Sequence, residues 1–168
     1  MTTVFVTVAV LGAFALSGAA VMENARFVKA TNQILEPIGL VRGIIAQQQS
    51  FVEIPGQDVW ADLARLGRVA SATDHLNPWG SDVHVVAVTN AMIRVESDLP
   101  AHDCRRMALY FLNQAQGFGI VAIEAQPFED ILWARIYPPP ENMSHNRAVE
   151  LACGDTHAAR LGLIFKVR

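Results

Sequence analysis

The sequence predicts an α+β fold in which one long N-terminal helix packs on an antiparallel β-sheet. Three observations predict it. Residues 1–22 hold 16 hydrophobic residues and no Asp, Glu, Lys or Arg. From Phe27 onward the apolar residues recur at helical spacing. Beyond Val83, short runs of alternating polarity are divided by Pro and Gly turns. The chain has 168 residues, is 52% hydrophobic and carries a formal net charge of −3. With the first 22 residues set aside, the remainder is about half hydrophobic, as expected of a domain that buries a core. Intrinsic disorder and a polytopic membrane protein are excluded, and the acidic balance gives no reason to expect nucleic acid as a partner.

The first element is an uncharged run, Thr3–Met22. As a helix it spans about 30 Å, the thickness of a bilayer's hydrocarbon core. A cleaved secretory signal is the alternative, with Ser17, Gly18, Ala19 and Ala20 near a cleavage point, but the usual Lys or Arg before the apolar region is absent. The residues after Met22 favour an uncleaved helix. Phe27, Ala30, Ile34, Ile38, Val41 and Ile45 are spaced by three or four residues, with Arg26, Lys29, Glu36 and Arg42 on other faces. The apolar helix is therefore expected to run on into an amphipathic one ending near Ser50, with a bend or loosening at Pro37, Gly39 and Gly43. Phe27, Ile34, Ile38, Val41 and Ile45 are the residues expected to pack on the head. Ala9, Ala13 and Ser17 form a stripe of small residues that allows close helix approach, or reflects no more than an alanine-rich membrane helix. The expected organisation is an apolar membrane or filament-core helix at 1–22, its amphipathic continuation at 23–52 and a globular head at 53–168.

Ile54-Pro55-Gly56 predicts a turn and 57–69 a short helix with Val59, Leu63, Leu66 and Val69 on one face. A loop through Asn77-Pro78-Trp79-Gly80 leads to a hairpin, Val83–Asn90 and Met92–Glu96, in which Val83, Val85, Ala87, Ile93 and Val95 point inward. Leu99-Pro100 opens a helix whose core face is Cys104, Met107, Ala108, Phe111, Leu112 and Ala115, ended by Gly117 and Gly119. Strands are expected at Ile120–Ala125 and Ile131–Tyr137, with Pro138–Pro140 stopping the second. Ser144 caps a helix through Cys153 closed by Gly154. Leu161–Val167 is the last strand.

Two cysteines behind an export-type N-terminus suggest a disulfide, Cys104 to Cys153. The alternative is a tetrahedral zinc site from His102, Cys104, Cys153 and His157, although these spacings match no strong zinc signature; unpaired thiols are the third reading. No group of residues argues for catalysis. Glu124, Glu129 and Asp130 read as a solvated strand end, and His75, His84 and His145 as isolated. Gly117-Phe118-Gly119 lacks the Lys and Ser or Thr of a phosphate loop. Trp60, Trp79 and Trp133 read as packing residues. No enzyme activity, cofactor or metal is expected.

Taken together, these parts resemble the type IV pilins, particularly the type IVb and conjugative group. Met1 through Arg26 is similar to a mature pilin N-terminus. Asn77-Pro78-Trp79-Gly80 resembles the family's Asn-Pro-Trp/Phe-Gly turn, and Leu99-Pro100 followed by Cys104 its Pro-x-x-x-Cys segment. Ala148 to Cys153 with the strand Leu161–Val167 resembles its Ala-rich helix, second Cys and closing strand. The resemblance implies a fibre subunit that sits first in the bacterial inner membrane through residues 3–22, with its head in the periplasm. It then joins copies of itself or other pilins in an extracellular filament with the help of inner-membrane assembly machinery. The family's Glu near the fifth mature position is missing, Phe5 and Thr7 being the nearby residues, and no leader ending in Gly is seen. Either the leader has been left out or the chain is a minor or divergent subunit, placed at a filament tip or starting a pilus. A single-pass membrane-anchored periplasmic protein without a fibre is the rival reading.

Overall fold

The fold is α+β. A computed structural model describes residues 2–47, 59–60, 75–89, 91–127, 132–155 and 158–167, with side chains of the N-terminal helix described from Ala20 to Gly43. Helix α1 (Thr2–Gln47) is followed by β1 (Val83–Thr89), β2 (Met92–Pro100), α2 (Ala101–Phe118), β3 (Ile120–Pro127), β4 (Ala134–Tyr137), α3 (His145–Cys153) and β5 (Ala158–Lys166). These strands form one antiparallel sheet in the order β1-β2-β5-β3-β4, so the last strand of the chain lies at its centre.

The period-2 pattern decides the two faces. Val83, Val85, Ala87, Ile93, Val95, Leu99, Ile123, Ala125, Leu161, Leu163 and Phe165 are all buried, and they share one core with Ile34, Ile38 and Val41 of α1, Met107 and Phe111 of α2 and Val149 of α3. Full burial of each such Val, Leu, Ile, Met or Phe stabilises the fold by about 1.5–3 kcal/mol.

Helix α1 continues through Pro37 as one helix. Ser144 accepts a hydrogen bond from the Arg147 amide at the start of α3, and Gly154 follows its end with φ 65°. The expected 57–69 helix lies outside the described residues except for Val59 and Trp60, which are buried, and Ile45, Glu129, Asp130 and His157 lie outside the described side chains.

Several boundaries differ from the sequence expectation, among them the end of β3, which runs to Pro127 rather than Ala125, and the end of β5, at Lys166 rather than Val167. Strand β2 runs to Pro100, because Asp98, Leu99 and Pro100 pair with Arg160, Ala159 and Ala158 of β5; Leu99 is a core residue, not a helix opener. By the same pairing β5 begins at Ala158 rather than Leu161. Gly117 lies within α2, and only Gly119, with φ 70°, ends it, since a left-handed residue is what closes the last turn. Strand β4 starts at Ala134, and Trp133 just before it lies against Gly162 of β5.

Candidate assembly site

The site follows from how α1 divides its circumference. Residues seven apart return to nearly the same face of a helix. Phe27, Ile34 and Val41 form one such set and turn to the head, Ile34 and Val41 fully buried and Phe27 partly so, with Ile38 buried beside them. Val21 and Val28 form a second set, rotated by about 100°. They are 66% and 57% exposed, neighbouring Met22 is 61% exposed, and Ala25 between them is exposed too. Glu23, Asn24 and Arg26 around them are exposed as well. Ala9, Ala13 and Ser17, the small residues spaced by four in the sequence, have side chains outside the described residues. Among the described residues no helix is long and apolar enough to cross a membrane. The uncharged run Thr3–Met22 falls almost wholly before Ala20, so its apolar character is a property of the sequence.

Polar contacts set the length of α1 that the head grips. At the upper end Arg106 of α2 donates to Asn24 Oδ1 at 2.6 Å and stacks 4.2 Å over the Phe27 ring, while His102 Nε2 lies 3.2 Å from Glu23 Oε1. Tyr110 meets Phe27 edge-on with ring centroids 5.8 Å apart. In the middle Gln33 donates to the Leu76 carbonyl at 2.7 Å. At the lower end Arg42 donates to the carbonyls of Phe118 and Lys166 at 2.8 and 2.9 Å, joining the ends of α2 and β5. The sequence places Arg42 on a solvated face; the carbonyls at those two element ends take its hydrogen bonds instead. The grip therefore covers Glu23 to Arg42, about 30 Å of helix.

The head is tied internally by the disulfide. Cys104 of α2 and Cys153 of α3 are bonded, with Cα atoms 5.8 Å apart and both residues fully buried. The zinc alternative built on these thiolates is thereby overturned. Arg105 adds a bond to the Gly154 carbonyl at 2.5 Å. The Asn77-Pro78-Trp79-Gly80 turn is bolted to β2. Buried Asn77 accepts from the Trp79 and Ser81 amides through Oδ1 and donates through Nδ2 to Ser97 Oγ and the Asp98 carbonyl. Gly80, with φ 84°, closes the turn with its amide on the Asn77 carbonyl.

On the sheet's other face the expected solvated strand end at Glu124 is instead a buried carboxylate held by partly exposed arginines. Glu124 receives Arg135 at 3.0 Å and lies 3.8 Å from Arg94, which donates to Glu96 at 2.6 Å. The Arg94 guanidinium sits 4.6 Å over the Trp133 ring. Asp98 and Arg160 form a two-point pair beside it, a hydrogen bond that holds the guanidinium above its ordinary pKa. Of the histidines, His75 pairs with Asp82 at 3.1 Å and His145 stacks on Tyr137.

Sequence reasoning missed Arg42, Glu23, His102 and Arg106 as contacts, since charged residues on an amphipathic helix read as solvated. The seven-residue spacing of Val21 and Val28 was a signal in plain view. No protein-family model and no curated protein matches the chain.

Proposed function

We propose that the chain is a structural subunit of a type IVb-like pilus, a fibre for adhesion, conjugation or surface contact. The observation that carries this reading is the division of α1. The head holds Glu23 to Arg42, while Val21, Ala25 and Val28 present an apolar stripe that it leaves uncovered. In this reading residues 3–22 first hold the subunit as a single pass in the inner membrane, head in the periplasm. Assembly machinery then moves that segment into a filament core, where Ala9, Ala13 and Ser17 let helices of other copies or other pilins approach closely. Exposing the segment to water instead would cost on the order of tens of kcal/mol, which drives assembly once the subunit leaves lipid. The Cys104–Cys153 bond suits an oxidising compartment such as the periplasm. The reading assigns no catalytic step and no cofactor.

Shearing cells and blotting the released material tests it. The chain is expected in the sheared fraction, and a Val21→Asp/Val28→Asp variant is expected to leave that fraction while its head still folds. Retention of the unmodified chain with the membrane would favour the rival, a single-pass anchored periplasmic binding or envelope protein.

A further inference from the structure

Glu23 of α1 meets His102 and Asp103 of the first turn of α2, and one ligand atom from each lies within 4.8 Å of the other two. His102 stands between the carboxylates, Nε2 at 3.2 Å from Glu23 Oε1 and Nδ1 at 3.5 Å from Asp103 Oδ2. Asp103 differs from the other two. Its side chain is only 6% exposed, and its Oδ1 is buried with no hydrogen-bond partner. A carboxylate oxygen placed so loses its hydration without a replacement, which is unfavourable unless a cation or donor arrives. We propose that Glu23, His102 and Asp103 form a binding site for a divalent transition-metal ion of the zinc class, which pins α1 to α2.

The donor set selects the ion. One imidazole nitrogen and two carboxylate oxygens are a ligand set that Zn2+ takes in four-coordinate sites, with water at the remaining position. Calcium and magnesium favour all-oxygen shells, so the imidazole nitrogen in the set favours a transition metal over them. Metal–ligand bonds near 2.0–2.1 Å put neighbouring ligand atoms about 3.3 Å apart, so the site must tighten. Glu23 and His102 are exposed enough to turn inward, while Asp103 stays fixed in the packed helix. Charge balances as well, since two carboxylates neutralise a dication beside a neutral histidine.

Opposing terms are present and bounded. Arg106 and Arg26 lie close enough to act on Asp103, and the N-terminus of a helix disfavours a cation. Arg106 is 3.6 Å from Glu23 Oε1, but it keeps Asn24 and the Phe27 ring as partners when Glu23 turns to a metal. This site is independent of the fibre reading, and its test does not involve filaments.

The test is calorimetric titration of the full chain in detergent with zinc sulfate, then with calcium chloride, alongside His102→Ala, Glu23→Gln and a control His145→Ala. Expected are one equivalent of zinc per chain, no calcium binding and a roughly tenfold or greater loss of affinity in the first two variants only. Cobalt(II) in place of zinc should give the visible absorption of a four-coordinate site, and zinc should raise the Tm of the unmodified chain but not of His102→Ala. Both altered side chains are largely exposed, so losing their 3.2 Å contact should lower the metal-free Tm only slightly, and each affinity is read on folded protein. No saturable zinc binding, binding unchanged in His102→Ala, or loss in His145→Ala alone would each overturn the assignment.

Discussion

The two faces of the sheet handle burial in opposite ways. The helix-covered face is filled by apolar side chains, and its interior position is enforced by area alone. The other face carries Arg94, Glu96, Asp98, Glu124, Arg135 and Arg160, and yet Glu96 and Glu124 are as hidden from water as many core residues. There each carboxylate is held by an arginine, and the ring of Trp133 covers the centre. Across that row Glu96 and Glu124 flank Gly162 in the register of β2, β5 and β3. A side chain on the central strand would separate the ring from the sheet. Charge is tolerated under cover where partners are supplied by register, and Asp103 on the helical layer shows the converse, a hidden carboxyl with one oxygen unpartnered.

Substitutions at single positions sharpen that contrast. The largest effect belongs to the apolar face. Phe165→Ala removes a fully buried ring from the central strand and should destabilise the head by about 3–5 kcal/mol, read from chemical denaturation of the full chain in detergent. A loss below about 1 kcal/mol would mean the face is not packed as described.

Next comes the opposite face. A Cβ at Gly162 would lie 2.8 Å from Cζ3 of Trp133 and 3.1 Å from Cδ of Arg94. Gly162→Ala should therefore push the ring off the sheet, lowering stability by about 1–3 kcal/mol. Trp133 would gain exposure, with a red-shifted tryptophan emission as the readout. An unchanged spectrum and an unchanged Tm would show that the ring does not seal this row.

The smallest effect has the opposite sign. Burial is the largest influence on Asp103 and raises its pKa above the ordinary 3.8; His102, Arg106 and Arg26 pull it down and Glu23 pushes it up. A carboxyl raised in the fold contributes stability that is present below its unfolded value and lost as pH rises through its native one. With chelator present, Asp103→Asn should stabilise the chain at neutral pH by about 1 kcal/mol, a few degrees in Tm. That advantage should vanish as the pH falls to 3.8 and below. A variant less stable than the parent at neutral pH would show that the charged form is favoured there.

How much of the fold is legible in the sequence depends on whether the signal is local. Inward residues of β1 and β2 follow from alternation, the core side of α2 from its three-and-four spacing, and Ser144 and Gly154 from cap chemistry. The end of β2 was hidden because Ser97 and Asp98 break the apolar pattern. Ser97 bonds the turn residue Asn77, and Asp98 bonds Arg160, partners 20 and 62 residues away. Glu124 is opaque for the same reason: nothing nearby in sequence announces Arg94. In the candidate assembly site, the head-facing set on α1 was readable from period, whereas the clamp by Arg42 was not, because its acceptors are 76 and 124 residues away.

By itself, then, the chain's order of residues determined an uncharged stretch leading into an amphipathic helix, the inward side of each strand and a pair of cysteines available for joining. Those are consequences of backbone periods of 3.6 and 2, which every residue feels through its immediate neighbours. Only the folded arrangement decided that β5 lies at the centre of the sheet, which charges are hidden and by whom they are held, and that Glu23, His102 and Asp103 converge. Such pairings depend on strand register and helix docking, and these are settled by packing between segments far apart along the chain.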